Sequence, residues 1–589
     1  MVHFLIITLV LGACATSLLV ILWRAERVKR WMAGLKRQWC LKALSNNNHR
    51  KNLEHDTKNA QSIQECLLLE ALRKHQDTEY GLKNNFKILT DVSSFQRLHP
   101  LTQYCDYKDY VRRTSQGEEN IMMHGRPFAL VATAGTSGNP SMVPISAQRP
   151  NDSFQQGTAV YLEIIHSNFP GALEKMTKFT FPPNFRHTEA GIPIINFPFA
   201  FSNFLNNLYS STIPDISPMS HHEILYIQLL FALKEKGLSM LEANFSWFLR
   251  YVFSVLEDSW ESLVADIQKG RLSSELKIPL DIRKQTEDLL VPDAVRASEL
   301  RAQFQEGFCG IAKRVWPNLQ VIVAVETGGS DLDRQTLKDT LCKGTPLYSP
   351  IYCAAEGLCG VNLWPLEDVP QYVLIPRSAF FEFIPMDTNE LKQTLSVRDV
   401  TAGKAYELVI TNRDGLYRYQ LGDVVQVTGF HNQSPIVEFV YRKSQTLSVR
   451  GERISERHFY RTLMRTVNLW PGASLLNYCC AESGILGSLS GGSDPHYEVF
   501  IALKGVRDLS EDQRYKLDQT LQEQFPLYKS FRFKGSIGPV RVHLTSPKSI
   551  LGLWELTAKL SGTSLDCIQP PRTLRYGKLA ESIWKQVLS

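Results

Sequence analysis

Phe128-Ala-Leu-Val-Ala-Thr-Ala-Gly-Thr-Ser-Gly-Asn-Pro140 is the stretch on which the reading of the fold turns. Its first five residues are apolar and predict a buried strand. The strand stops at Thr133, and small residues follow as far as Pro140. A loop of Gly, Ser and Thr lets the backbone approach a polyphosphate closely. Its successive N–H groups make an anion-binding concavity, and its hydroxyls add donors. No Gly-Lys-Ser/Thr follows, so this is not a Walker loop. Standing alone, such a segment is more often a plain tight turn.

Two further segments shift that balance. In Tyr352-Cys-Ala-Ala-Glu-Gly357 an aromatic ring precedes a carboxylate by four residues. The ring suits stacking on a base, and the carboxylate suits Mg²⁺ held beside phosphates. Gly415-Leu-Tyr-Arg-Tyr-Gln-Leu-Gly-Asp423 ends on an acid suited to accept both ribose hydroxyls. Taken singly, Glu356 reads as a surface acid and Asp423 as a turn residue. In this order behind the small-residue loop, they form the set that a nucleotide-activating site needs.

Working outward, Val321-Ile-Val-Ala-Val-Glu-Thr-Gly-Gly329, Tyr372–Ile375, Phe380–Ile384 and Glu407–Thr411 read as strands, and Asp414-Gly415 signals a hairpin. Residues 223–270 carry helical periodicity throughout. Past Arg442 a smaller unit begins, with a strand at His496–Ala502 and a helix at 509–525. The boundary falls near 442–446, and no internal repeat suggests a solenoid or propeller. The expected architecture is α/β: a large domain over 76–441 and a small α+β domain over 442–589.

Length and composition agree. A chain of 589 residues is too long for one core. Its 43% hydrophobic and 21% charged content is that of a globular protein. A net charge of +6 is too dilute to indicate nucleic acid. The 11 cysteines form no CxxC pair, which points to reduced thiols rather than a metal or disulfide framework.

The N-terminus differs in character. From Met1 to Trp23 only His3, Thr8, Thr16 and Ser17 are polar, and Arg24, Arg27, Lys29 and Arg30 follow. About 20 apolar residues span a bilayer, and the positive charge would hold the following chain in the cytosol. This reads as an anchor in the endoplasmic reticulum or nuclear envelope, with residues 24–75 a basic helical linker. The alternative is a cleaved signal peptide with Ala13 and Ala15 at the cleavage site, and a lumenal or secreted body. Sequons begin at Asn151, Asn244 and Asn432 and would matter only there.

Taken together, the motifs resemble the Gretchen Hagen family, the plant auxin- and jasmonate-amido synthetases of the acyl-adenylate-forming superfamily. The resemblance runs from about residue 75 to 589. It rests on His99-Pro-Leu-Thr-Gln-Tyr-Cys-Asp-Tyr107, the loop at 133–140, Tyr226–Leu233, Trp316-Pro-Asn318, Tyr352–Asn362, Gly415–Asp423, Val427–Asn432, His496-Tyr-Glu498 and Pro571-Arg572. It implies a large adenylate-forming α/β domain and a small mobile α+β C-terminal domain with the active site between them. It also implies Mg-ATP as cofactor, and a carboxylic acid and an amine or amino acid as substrates. By position, Thr133, Gly135, Thr136 and Ser137 would cradle phosphate, and Tyr352 would stack on adenine. Glu356 would hold Mg²⁺, Asp423 would bind ribose, and Arg442 would sit at the hinge. Gly451-Glu-Arg-Ile454 resembles a loop that swings in after adenylation. Met240, Phe245, Trp247 and Phe248 would lie near an acyl pocket, although core packing explains such residues more often.

Four positions depart from the family pattern. Thr133-Ala134 stands where Ser-Ser usually opens the loop. Ser141 replaces a basic residue, and Ala355 replaces the hydroxyl residue before the metal acid. Gln569 occupies the place of the catalytic Lys, three residues before Arg572. Lys559 and Lys578 are the nearby candidates to stand in for it. All four changes concern phosphate, so the sequence predicts weakened catalysis. A nucleotide- or acyl-binding interaction protein is the alternative.

Overall fold

The computed structural model describes residues 48–133, 141–182, 186–196, 209, 219–326, 331–387, 394–491 and 494–588. The apolar segment 1–23, the basic stretch after it, and Ala134, Gly135, Thr136 and Ser137 lie outside the described residues.

The Val321–Val325 strand is buried at all five positions. A continuous apolar run of this kind belongs inside a parallel sheet covered on both faces. It pairs in parallel with Met240–Phe245 and Leu347–Tyr348, and Met176–Phe179 completes the four-stranded sheet. The Met240–Phe245 strand overturns the continuous helix expected over 223–270. Helices His221–Lys234 and Ser246–Lys269 flank it. Met-Leu-Glu-Ala is helix-prone by composition, but the gap between two buried strands overrides local propensity. Ser220 and Glu223 form a reciprocal cap at the first helix, and Gly270, at φ +66°, ends the second.

A second sheet has seven antiparallel strands, in the order Phe380–Pro385, Ala405–Thr411, Tyr419–His431, Ser434–Arg442, Tyr372–Leu374, Gly357–Val361 and Ile351–Ala354. The hairpin signalled by Asp414-Gly415 joins Ala405–Thr411 to Tyr419–His431. A small sheet carries Ala129–Ala132 and Met142–Ile145 as antiparallel neighbours. Ala129–Ala132 is the expected strand and is buried throughout, whereas Phe128 is 45% exposed and lies just outside it.

Residues 49–75 are helical, as expected, but they are not a free linker. In the helix Ala60–His75, Leu67, Leu68 and Leu72 enter the core beneath the seven-stranded sheet. Gln64 Nε2 donates to Pro376 O (2.5 Å) and Ala379 O (2.6 Å), and Gln64 Oε1 accepts from Phe381 N (2.7 Å). One buried amide thus satisfies three backbone groups at the strand Phe380–Pro385, a role that sequence periodicity does not reveal.

The C-terminal sheet, ordered Arg541–Leu544, Tyr497–Lys504, Ser474–Glu482 and Thr573–Leu574, shares an apolar core with the helices of the large unit. Trp554, on the helix Pro547–Ser561, packs edge-on against Trp247 at 4.9 Å.

Candidate functional site

The parallel strands end at a cavity of about 560 Å³. Phe245 and Val325 form its floor, at the carboxyl ends of their strands, where α/β sheets place ligands. Ala132, Thr133 and Ser141 line one side, and Ala354, Ala355 and Glu356 another. Glu407, Tyr419, Arg442 and Lys443 come from the seven-stranded sheet and its exit, and Gln569 comes from the C-terminal segment.

Thr133 and Ser141 close the neck of the small-residue loop. Thr133 N donates to Ser141 O (2.8 Å), and Ser141 N donates to Thr133 Oγ1 (3.1 Å). Ala355 and Glu356 form the two-residue turn between Ile351–Ala354 and Gly357–Val361. Arg149 fixes this turn by donating to Ala355 O (2.7 Å) while pairing with Asp414 (3.2 Å). Asn412 Nδ2 holds Glu356 O at 2.8 Å. The Glu356 side chain faces the cavity and accepts from Tyr419 Oη at 3.3 Å. Burial raises its carboxyl pKa above the ordinary range.

Tyr419 is aimed by an unusual backbone position. Arg418 has φ +47°, a region uncommon for residues with side chains. Its guanidinium is fully used: it donates to both Glu382 oxygens (3.2 Å), to Gln96 O and His99 O (2.6 Å each), and to Thr394 Oγ1 (2.9 Å). These contacts hold the local strain.

Two of the expected site residues are bonded within the protein. Tyr352 is fully buried and does not line the cavity. Its ring packs near Tyr372 and Phe439, and its hydroxyl donates to Asp423 Oδ2 at 3.0 Å. Asp423 is also fully buried, and Arg442 occupies both of its oxygens, at 2.6 and 3.1 Å. They form the wall that positions Arg442. Their polar atoms are taken up by one another and by Arg442, which stands between them and the cavity.

Gln569 does line the cavity, whereas Lys559 and Lys578 are exposed and do not. Its segment is pinned on both sides. Asp566 Oδ2 accepts from Thr180 Oγ1 (2.8 Å) and Asn244 Nδ2 (3.1 Å), and Trp247 Nε1 donates to Ile568 O (2.9 Å). On the other side, Arg572 pairs with Asp333 at 2.9 Å. The loop Gly451–Ile454 lies outside the cavity. Of the suggested acyl-pocket residues, Phe245 reaches the cavity, while Met240, Trp247 and Phe248 serve the core.

Sequence reasoning missed Lys443, Glu407, Tyr104 and Tyr419 as cavity residues. The Arg442-Lys443 pair at the end of a strand was a visible signal for the first. Two sequons are occupied structurally: Asn244 is buried, and Asn432 Nδ2 donates to Glu54 (3.0 Å) and Thr57 (2.9 Å). Among the described residues no cluster of three His, Cys, Asp or Glu could cage a metal, and no helix is long and apolar enough to cross a membrane.

The parallel and antiparallel sheets, with the cavity at their strand ends, make this a mixed α/β protein whose fold resembles that of acyl acid amido synthetases. The chain belongs to the GH3 family: the models of its N-terminal, central and C-terminal domains match residues 49–347, 372–442 and 457–574. The GH3 domain-containing protein of Homo sapiens is 34% identical over 95% of this chain and 94% of its own length. That of Mus musculus is 42% identical over 61% of this chain, a match that spans 65% of the mouse protein. Among solved structures, the GH3.15 acyl acid amido synthetase superposes with a TM-score of 0.78 at 24% identity, over 92% of this chain and 96% of its own.

Proposed function

We propose that this chain is an ATP-dependent acid–amine ligase with attenuated turnover. One observation carries the reading: Thr133, Ala355, Glu356, Arg442 and Gln569, drawn from separate segments, line a single cavity. In the proposed first step a substrate carboxylate oxygen attacks the ATP α-phosphorus. An acyl–O–P bond forms, and pyrophosphate leaves with the electrons of the broken P–O bond. In the second step an amine nitrogen, from an amino acid or a related amine, attacks the acyl carbon. AMP departs, and the amine proton passes to solvent. Membership of the GH3 family, in which GH3.15 is an acyl acid amido synthetase, supports an acid and an amine as substrate classes.

Mg²⁺ binds through one or two carboxylates together with substrate phosphates. Glu356, facing the cavity, is the residue that would hold it, and the ion would neutralise phosphate charge. Arg442 adds a cation at the wall, and Gln569 offers hydrogen bonds without charge. Replacing an ammonium by an amide at the phosphate lowers rates by about 10²–10³. Ala355 likewise has no hydroxyl to offer. These two residues also support a second reading, a protein that binds nucleotide or acyl ligand without turnover.

The test is acid-dependent ATP–pyrophosphate exchange across a panel of carboxylic acids. Slow exchange with at least one acid, accelerated by Gln569→Lys, is the expected result. Nucleotide binding without exchange, even in Gln569→Lys, would favour the second reading. The apolar segment 1–23 supports tethering to the endoplasmic reticulum or nuclear envelope with the body in the cytosol. Digestion of the body by protease added to intact microsomes is expected, and full protection would contradict it.

A further inference from the structure

Lys443 is the one lysine that lines the cavity among the described residues. It follows the strand Ser434–Arg442 directly and opens a short helical turn, Lys443–Gln445. Its Nζ is 2.5 Å from Glu407 Oε2, its side chain is 46% exposed, and Glu407 is buried on the strand Ala405–Thr411 of the same sheet. The other cation of the cavity is committed. Arg442 directs Nε and one terminal nitrogen at Asp423, whose other contact is the Tyr352 hydroxyl. Freeing Arg442 would strand a fully buried carboxylate, which is strongly unfavourable. Lys443 has a flexible four-carbon stem and a single ion-pair partner, so its ammonium is the cavity cation that can change partners most readily.

We infer that Lys443 is the phosphate-binding cation of this cavity, supplying from the seven-stranded sheet the ammonium that Gln569 does not carry. The inference rests on the nucleotide reading above. Without a phosphate, Nζ rests on Glu407. With one, a phosphate oxygen takes its place or joins it, and the three N–H donors of an ammonium allow both contacts. Glu407 therefore acts as a positioning residue: it keeps Nζ at the cavity wall, and it competes with the phosphate for it.

The experiment is equilibrium titration of the full chain with ATP and, separately, with adenosine. Four forms are compared: the unaltered protein, Lys443→Met, Lys443→Arg and Glu407→Gln. Lys443→Met is expected to weaken ATP about tenfold or more, the scale of one charge-assisted hydrogen bond, and to leave adenosine unchanged. Lys443→Arg retains the charge and recovers most of the ATP affinity. Glu407→Gln releases the ammonium and tightens ATP, again without effect on adenosine. Adding Gln569→Lys to Lys443→Met restores ATP binding from the other wall. Unchanged ATP affinity in Lys443→Met overturns the inference while leaving the nucleotide reading intact. Absence of ATP binding in the unaltered chain overturns both. Equal losses for ATP and adenosine assign Lys443 a purely structural role and also overturn the inference. Circular dichroism of each variant separates misfolding from lost contact.

Discussion

Asp423 and Arg442 face each other as direct cross-strand partners, and their side chains form a two-pronged ion pair at 2.6 and 3.1 Å. The Tyr352 hydroxyl completes the carboxylate's shell at 3.0 Å. Together they fix the direction of the one arginine that lines the cavity among the described residues.

Breaking that pair from one side leaves a buried charge. Arg442→Met is expected to cost about 3–5 kcal/mol in urea unfolding, because Asp423 is then buried without its cation. Tyr352→Phe removes one hydrogen bond to a charged group and should cost about 1.5–3 kcal/mol. Because Tyr352 stands behind the cavity wall, Tyr352→Leu, which removes the ring, should change adenosine affinity little in a folded protein. A large loss of base affinity in that variant would restore the stacking role read from the sequence.

Much of the architecture was legible in the chain and part of the site was not, for physical reasons. Val321–Val325 and Phe380–Pro385 declare themselves because a run of β-prone apolar residues has few alternatives. Met240–Phe245 hid because Met-Leu-Glu-Ala favours a helix until two neighbouring strands claim it. Glu356 and Gln569 could be placed at the site by order along the chain, and both reach the cavity. The partnership of Tyr352, Asp423 and Arg442 could not be read from the sequence, since motif order is blind to which side chains bond one another across strands. Lys443 and Glu407 are 36 residues apart in sequence and meet only because the sheet folds the end of one strand back towards another.

The His496-Tyr-Glu498 motif makes a prediction about pH. Glu498 is buried, and burial alone would push its carboxyl pKa up. Hydrogen bonds from His496 (2.9 Å), His543 (2.6 Å) and Ser490 (2.6 Å) outweigh this and hold it at about 2. A folded-state value below the unfolded one stabilises the protein above the unfolded value and loses that contribution as pH falls. The C-terminal unit should therefore lose on the order of 3 kcal/mol between about pH 4.5 and 2. Glu498→Gln should be less stable at pH 7 and show a flatter acid limb in denaturation curves. An unchanged acid limb would show that the loss arises elsewhere.

Asp333 joins the large unit to the segment that carries Gln569. Its two oxygens meet Arg250 Nε at 2.6 Å and an Arg572 terminal nitrogen at 2.9 Å, with Asp333 and Arg572 almost completely buried. Asp333→Asn leaves two guanidinium groups without their counter-charge and should cost about 3–5 kcal/mol. Hydrogen exchange in residues 564–574 should rise well beyond that in Met176–Phe179. Uniform exchange across both would mean that the ion pair does not anchor the segment.

Glu382 supports the strained Arg418 and, through the chain direction it sets, Tyr419. Glu382→Gln keeps the shape but removes the charge facing a buried guanidinium, with an expected cost of about 3 kcal/mol in thermal or urea unfolding. Arg418→Gly relieves the positive φ but empties a buried, fully bonded position, so it should also destabilise. A stabilising Arg418→Gly would show that backbone strain outweighs the guanidinium's contacts.

The ligase reading and the role of Lys443 both depend on the cavity between Thr133, Glu356 and Gln569 being the nucleotide site. Calorimetric titration of ATP reports on this without intermediate steps, run on the full chain and on Gln569→Trp. That variant puts an indole at the cavity wall on a segment already pinned through Asp566 and Arg572. Saturable ATP binding by the unaltered protein is expected, together with its loss in a folded Gln569→Trp variant. Equal binding by both, or no binding by the unaltered chain, would contradict the assignment of the cavity.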